Sequence, residues 1–191
     1  MIVNQILQPP TPTLVQAYVT QFEREPDCVA SDDAITLLIN TFPHNHVIEE
    51  VLLKVAAINQ LYNAQMFTTA IYPVAKLICE LDIDPKLNQG SLDVVTRIAY
   101  DEIGQRKRYV FATKYCHFHR PDAYPIFDDV AASLICSYQE KDGFATPTFT
   151  KDDLKLYPTY KDIIEKFRSH YGLTAISFRH LDKFLWRYKG G

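Results

Sequence analysis

Lys114 stands in a segment that is otherwise apolar and aromatic, residues 111–118, FATKYCHF. A lysine in such surroundings either extends its ammonium group to water or is held away from water for chemistry. Burial lowers the pKa of a lysine, and the neutral amine that results is a nucleophile. Lys114 is therefore a candidate nucleophile, and the competing interpretation is an ordinary surface lysine.

Two carboxylates follow Lys114 closely in the chain. Asp128 stands 14 residues after the lysine, directly behind a Pro-Ile-Phe turn, and Asp129 is its neighbour. Both open the next predicted helix, so N-capping is their structural interpretation. A lysine beside a carboxylate is also the pair that attack on the anomeric carbon of a sugar requires, because the carboxylate supports the positive charge that develops as the base leaves. Asp128 is the first choice for this role and Asp129 the second.

The elements that carry these residues are predicted to be helices throughout. Apolar side chains recur at helical spacing, and no segment shows the alternation of a strand, which predicts an all-α protein of eight or nine short helices. The strongest helix covers residues 45–62, the helix at 69–81 is expected to be the buried centre, and Ser31 is expected to cap a helix after it. Residues 1–12 are predicted to form an extended arm, because Pro9, Pro10 and Pro12 oppose a helix. The whole chain, 1–191, is expected to be a single domain.

Four segments of the chain resemble the helix-hairpin-helix DNA glycosylase superfamily, specifically its prokaryotic proteins with an 8-oxoguanine glycosylase-like fold. Residues 52–65, LLKVAAINQLYNAQ, resemble the helix whose end probes DNA at the extruded base. Residues 112–114 resemble the segment that carries the catalytic lysine of the superfamily. Residues 125–130, PIFDDV, resemble the segment that carries its catalytic aspartate, and residues 178–188 resemble its C-terminal helix.

The resemblance implies a fold, a partner and a reaction. The fold would be two helical lobes around a cleft, and the partner would be DNA with one base rotated out of the stack. Lys114 would attack C1′ of a damaged purine nucleotide such as 8-oxoguanine, with Asp128 or Asp129 stabilising the sugar cation, and strand-nicking lyase activity would follow. Neither a metal nor an organic cofactor is implied.

Polar and basic residues around these segments are candidates for DNA contacts. Asn59, Gln60 and Asn63 lie at a predicted helix end, where an amide would enter the duplex; capping of the helix is the alternative. The superfamily places a glycine-rich, phosphate-binding hairpin before its lysine, and here a basic run takes that position and is predicted to bind phosphate by charge. Segments 97–120 and 161–191 each carry net +4 on a chain of net −3. The predicted phosphate contacts are Arg106, Lys107, Arg108 and Arg120.

Composition and short motifs exclude several classes of protein. The four cysteines form no Cys-x-x-Cys pair, and the chain has neither a signal peptide at its start nor a membrane-spanning apolar run, so we expect a cytoplasmic protein. The motif Cys116-His-Phe-His119 lacks a second ligand pair at zinc-finger spacing, so no metal site is predicted. His44-Asn-His46 is a nuclease-like tripeptide without the surrounding ββα pattern, and it is interpreted as a loop leading into a helix.

Two other functions remain open from the sequence. The first is a catalytically inactive helical module that binds nucleic acid or protein on the same scaffold, because a fold can be kept after its catalytic activity is lost. The second is a nuclease or defence-system effector that uses the histidines.

Overall fold

The computed structural model describes residues 7–64, 66–100 and 108–188. Every regular element within these ranges is helical, which confirms the predicted all-α class. The described chain has ten α-helices, one more than the upper expectation, and the additional one is the five-residue α5. None of these helices has both the length and the apolarity needed to cross a membrane. The α-helices are α1 (Pro12–Glu23), α2 (Pro26–Thr41), α3 (Ile48–Leu61), α4 (Ile71–Glu80), α5 (Asp84–Asn88), α6 (Asp93–Ala99), α7 (Tyr109–His119), α8 (Asp129–Asp142), α9 (Tyr157–His170) and α10 (Phe178–Arg187), with 3-10 turns at Thr68–Ala70 and Asp153–Lys155.

The contacts divide the chain into two compact units. Unit 1 combines both ends of the chain, Met1–Pro26 and Phe127–Gly191, and unit 2 is the continuous segment Asp27–Ile126. Unit 1 therefore contains α1, α8, α9 and α10, and unit 2 contains α3 to α7 and nearly all of α2. The single domain and the cleft between two lobes stay predictions.

Unit 1 is built on α1, which packs against α10. Helix α1 begins at Pro12, so the predicted arm ends one residue earlier than expected. Proline is tolerated there because the first helical N–H has no partner within the helix. Thr11 caps the helix by accepting a hydrogen bond from the Leu14 N–H at 3.2 Å. Val15 and Val19 are fully buried on the inner face of α1.

Aromatic side chains dominate the core of unit 1 and hold the end of the arm. The Tyr138 ring lies 5.4 Å from that of Phe167, edge to face, and both residues are fully buried. The Tyr138 hydroxyl donates to the Gln8 carbonyl at 2.7 Å, and the Tyr188 hydroxyl accepts from the Gln8 N–H at 2.8 Å. Gln8 thus has both of its main-chain polar groups satisfied by tyrosines of α8 and the C-terminal segment.

Unit 2 is centred on α7 rather than on the helix predicted from the sequence. Nine of the eleven residues of α7, all except Val110 and His119, are buried, and these include every residue from Phe111 to Phe118. Helix α4, which covers the segment expected to be the buried centre, exposes Tyr72 at 58%. The prediction that the helix at 69–81 is the buried centre was wrong. The tyrosine and lysine side chains of α7 made that helix look more polar than it is, because they are polar at the tip only and pack along their apolar stems.

Helix α2 begins earlier than the sequence indicates. Ser31 was expected to cap it, but Ser31 lies within the helix, which begins at Pro26. The Ser31 hydroxyl donates to the Asp27 carbonyl one turn back at 2.8 Å, an internal bond that serine forms as readily as a cap.

Candidate functional site

Lys114 lies on the buried helix α7 and contacts the end of α3. Its side chain is 7% exposed, so it is not an ordinary surface lysine. The Nζ donates a hydrogen bond of 2.6 Å to the main-chain carbonyl of Tyr62, the residue that follows α3, and lies 5.9 Å from the centre of the Tyr62 ring. A lysine that satisfies the last carbonyls of a helix also lies favourably at the negative end of the helix dipole.

Tyr62 is itself held in place from two sides. Its hydroxyl donates to the carboxylate of Asp32, a buried residue of α2. Its ring packs edge to face on Phe118, with the ring centres 4.6 Å apart. The carbonyl that receives the Lys114 ammonium group is therefore part of a fixed segment of unit 2.

The segment Asn59 to Ala64, here called the amide turn, carries the residues predicted to probe DNA. The Asn59 amide accepts from the Met66 N–H at 2.9 Å and donates to the Met66 carbonyl at 3.1 Å, so it links the end of α3 to Met66. Gln60 and Asn63 are exposed, and Asn63 adopts the left-handed backbone conformation, with φ of 45°. Asparagine tolerates this conformation better than most residues.

Two predicted parts of the site are thus neighbours in the structure. Lys114 contacts Tyr62, and Tyr62 is bonded directly to Asn63, although the lysine and the tyrosine are 52 positions apart. The sequence predicted a joint role for the lysine and the amide turn only through the resemblance.

Asp128 and Asp129 belong to unit 1, whereas Lys114 belongs to unit 2. Asp128 is the N-cap of α8 and accepts a hydrogen bond from the Ala131 N–H at 2.7 Å. The Asp129 side chain is 75% exposed and lies 3.2 Å from the Lys151 ammonium group. The capping role given as the structural interpretation is the role that Asp128 has in unit 1.

The predicted phosphate contacts differ in what they bind within the protein. Arg108 donates from Nε to the Ile98 carbonyl at 3.0 Å and from its terminal nitrogen to the Tyr100 carbonyl, so its guanidinium group ties α6 to α7. Arg120 follows α7, donates to the Asn88 carbonyl and remains exposed. Arg106 and Lys107 lie outside the described residues.

A second polar cluster in unit 2 was not predicted, and Lys54 is its centre. Lys54 is fully buried on α3, and its Nζ donates three hydrogen bonds, to the Phe42 carbonyl at 3.0 Å, the His44 carbonyl at 2.7 Å and the Asn45 Oδ1 at 2.7 Å. Burial lowers the pKa of Lys54 to about 8. The ammonium form therefore prevails at neutral pH, and its three donors match the three acceptors.

Asn45 extends this cluster to the start of α5. The Asn45 main-chain N–H donates to Asp84 Oδ2 at 3.0 Å, and the Asn45 side-chain amide donates to Asp84 Oδ1 at 2.5 Å. The side-chain oxygen of Asn45 also accepts a hydrogen bond from the Tyr115 hydroxyl. His44 and His46 are exposed on either side of the buried Asn45. The sequence signal that was overlooked is the position of Lys54 beside the apolar stripe of α3.

His119, at the end of α7, is close enough to Lys54 and Asp84 for their charges to act on it. Burial is the main cause that lowers the pKa of His119 to about 3, so the imidazole is neutral at physiological pH. Its Nε2 is buried and finds no hydrogen-bond partner among the described residues. The ring packs against Tyr115, with the ring centres 5.0 Å apart.

Comparison with known proteins places most of these residues in one family segment. The model of a family described as HI_0787_N, an N-terminal domain, matches residues 14–123. An uncharacterized protein of Haemophilus influenzae (strain ATCC 51907 / DSM 11121 / KW20 / Rd) is 33% identical over 153 residues, which cover 78% of this chain and 69% of that protein. No solved structure matches this chain. The matched segment contains Lys114, the amide turn and the Lys54 cluster, and it ends before Asp128.

Proposed function

The chain belongs to the HI_0787_N family, and from the resemblance of its Lys114 and Asp128 segments to those of DNA glycosylases we propose that it is a DNA base-excision protein, a glycosylase with lyase activity that uses Lys114 as its nucleophile. The observation that carries the proposal is the contact between the buried Lys114 amine and the residue next to the exposed Asn63. An enzyme that acts on a flipped nucleotide takes the base out of the stack into its own pocket, and an amine near the element that enters the duplex is placed to reach that nucleotide.

The hydrogen bond from Lys114 to the Tyr62 carbonyl is compatible with a nucleophilic role for the amine. Loss of one proton leaves two N–H groups, of which one continues to donate to the Tyr62 carbonyl. The freed lone pair then attacks C1′, the bond from C1′ to the base breaks, and the base leaves with a proton. The C1′–O4′ bond then breaks as the attached nitrogen loses a proton and forms a Schiff base with C1′. Removal of a C2′ proton expels the 3′ phosphate and nicks the strand.

The exposed amides of the amide turn would occupy the space left by the extruded base. Gln60 and Asn63 are exposed, and the segment that carries them is anchored by the Asn59 bonds to Met66. Side chains on a closed turn lose little freedom on entering a duplex, because folding has already restricted them. Asp128 would support the sugar cation, as the resemblance implies.

Phosphate binding would come from the basic segment around α7. Residues 97–120 carry net +4, and Arg120 is exposed at the end of the helix. Contacts of this kind make affinity fall steeply with salt. A cytoplasmic location goes with the proposal and is supported by the four free thiols, Cys28, Cys79, Cys116 and Cys136.

Borohydride trapping on duplex DNA that contains 8-oxoguanine or an abasic site tests the proposal. We expect a covalent adduct with the native chain, no adduct with Lys114→Gln, and a weaker one with Asp128→Asn. Lys183→Gln is the matched control, because Lys183 is a comparably buried lysine, 9% exposed, that stacks on Phe22 in unit 1. Far-UV circular dichroism verifies that each variant folds.

A second candidate function is the inactive helical module that binds nucleic acid or protein. It is favoured by the structural roles of Lys114 at the end of α3 and of Asp128 at the start of α8. If the folded native chain forms no adduct, yet binds DNA with an affinity that Lys114→Gln leaves unchanged, this second function replaces the first.

A further inference from the structure

The loop before α3 presents two imidazoles on the same side. Residues 42–47 contain no helix, and Asn45 is 1% exposed while its neighbours His44 and His46 are exposed. The loop bends at Asn45, whose side chain is turned inward, while the two histidines on either side of it face solvent. Their ring centres lie 5.5 Å apart.

A carboxylate from another part of unit 2 completes the group. Asp84, the first residue of α5, places Oδ2 3.6 Å from the Nδ1 of His44. One ligand atom from each of His44, His46 and Asp84 lies within 4.8 Å of the other two. We propose that these three residues bind a divalent transition-metal ion, a site that does not depend on the proposed DNA repair function.

The donor set indicates which metals the site would take. Two imidazoles and one carboxylate suit Zn²⁺, Fe²⁺, Co²⁺ and Ni²⁺, whereas Mg²⁺ and Ca²⁺ prefer oxygen ligands alone. Three protein ligands leave at least one coordination position for water or for an oxygen of a bound molecule. This is the arrangement of metal sites that act on a ligand rather than of closed structural sites.

Hydrogen bonds from neighbouring residues hold Asp84 and the main chain of His44 in position. Both carboxylate oxygens of Asp84 accept hydrogen bonds from Asn45, one from its N–H and one from its side-chain amide. Lys54 fixes the same loop by bonding the carbonyls of Phe42 and His44. Loss of hydrogen bonds that orient metal ligands in this way typically costs about 10–100-fold in metal affinity.

Closing the group around an ion requires only side-chain rotation. Ligand atoms about 2.0–2.1 Å from a metal lie about 3.3–3.5 Å apart in a tetrahedral site. The ligand atoms of His44, His46 and Asp84 lie within 4.8 Å of one another, so they have to move closer together. The side chain of His44 is 66% exposed, so its imidazole turns without displacing packed neighbours. The competing explanation is a simple ion pair between protonated His44 and Asp84, which would bind no metal.

Titration with Zn²⁺ by calorimetry, and with Co²⁺ by its visible absorption, tests the site on the full chain. We expect one equivalent to bind the native protein, and His44→Ala and His46→Ala each to weaken binding at least about tenfold. His170→Ala, which removes an exposed histidine of unit 1, is the matched control and should bind like the native chain. Zn²⁺ should also raise the melting temperature of the native chain and not that of His46→Ala.

Thiols are the main competing ligands, and Cys79 lies close enough to Lys54 for their charges to interact. Cys79→Ser should bind Zn²⁺ as tightly as the native chain. Stoichiometric binding that survives loss of His46, or that disappears in Cys79→Ser, would overturn the proposal, as would a native chain that binds neither metal.

Discussion

The Lys114 ammonium group lies 2.6 Å from the main-chain oxygen of Tyr62, so a charged hydrogen bond links the buried helix α7 to the residue that follows α3. The lysine carries the proposed chemistry, and the carbonyl begins the turn that exposes Asn63. Any substitution at position 114 therefore changes the stability of unit 2 as well as its reactivity, and the two effects have to be measured separately.

Lys114→Met should lower the free energy of unfolding by about 1–3 kcal/mol, because the Tyr62 carbonyl loses a charged donor while the methionine retains most of the packing. Urea unfolding followed by circular dichroism measures the change. Lys76→Met is the control, since Lys76 is exposed and should change stability by less than about 0.5 kcal/mol. Equal stability of the two variants would mean that the Lys114 bond contributes nothing.

Lys54→Met should be more destabilising than Lys114→Met. The substitution removes the lysine donor from the carbonyls of Phe42 and His44, and it removes one of the two hydrogen bonds that the Asn45 amide oxygen accepts, the other coming from Tyr115. We expect a loss on the order of 3 kcal/mol or more. A double-mutant cycle with Asn45→Leu isolates the contact between the two side chains and should give a coupling of about 0.5–3 kcal/mol. Additive effects would contradict the buried network.

Cys116 should be the slowest of the four thiols to react with a disulfide reagent. It is fully buried, and burial raises the pKa of its thiol far above the usual value, so almost no thiolate is present. Cys28, Cys79 and Cys136 are partly exposed. In the native protein we expect three faster thiols and one that reacts only on unfolding. Cys116→Ala should remove that slow phase, and its persistence would contradict the assignment.

The pKa of Asp153 should lie below the usual 3.8, chiefly because its carboxylate accepts a hydrogen bond from the Thr150 hydroxyl at 2.7 Å and also one from the Thr150 N–H. Since the folded pKa is depressed, the stabilisation is present above pH 3.8 and is lost as the pH falls through the folded pKa. The substitution Thr150→Val should return the pKa of Asp153 part of the way to 3.8, and carboxyl NMR titration measures the change. The other carboxyl groups serve as the internal control, and an unmoved Asp153 would refute the attribution.

The extent of sequence-based prediction differs between elements for physical reasons. The long helices follow from apolar spacing, which is local information. The five-residue α5 was missed because a helix of that length presents barely more than one turn, too short for periodicity to show. Ser31 was placed wrongly as a cap, because a serine hydroxyl bonds equally well to a carbonyl one turn back within a helix.

By itself the sequence determined that the chain is helical and that Lys114 lies in an apolar segment, since both depend on neighbours a few positions apart. The tertiary structure decided which polar groups meet. The Lys114 ammonium reaches an oxygen 52 positions away, and Asp84 reaches Asn45 from a distance of 39 positions. Such contacts arise when helices pack to bury their apolar faces, and their geometry depends on the whole core rather than on any short segment.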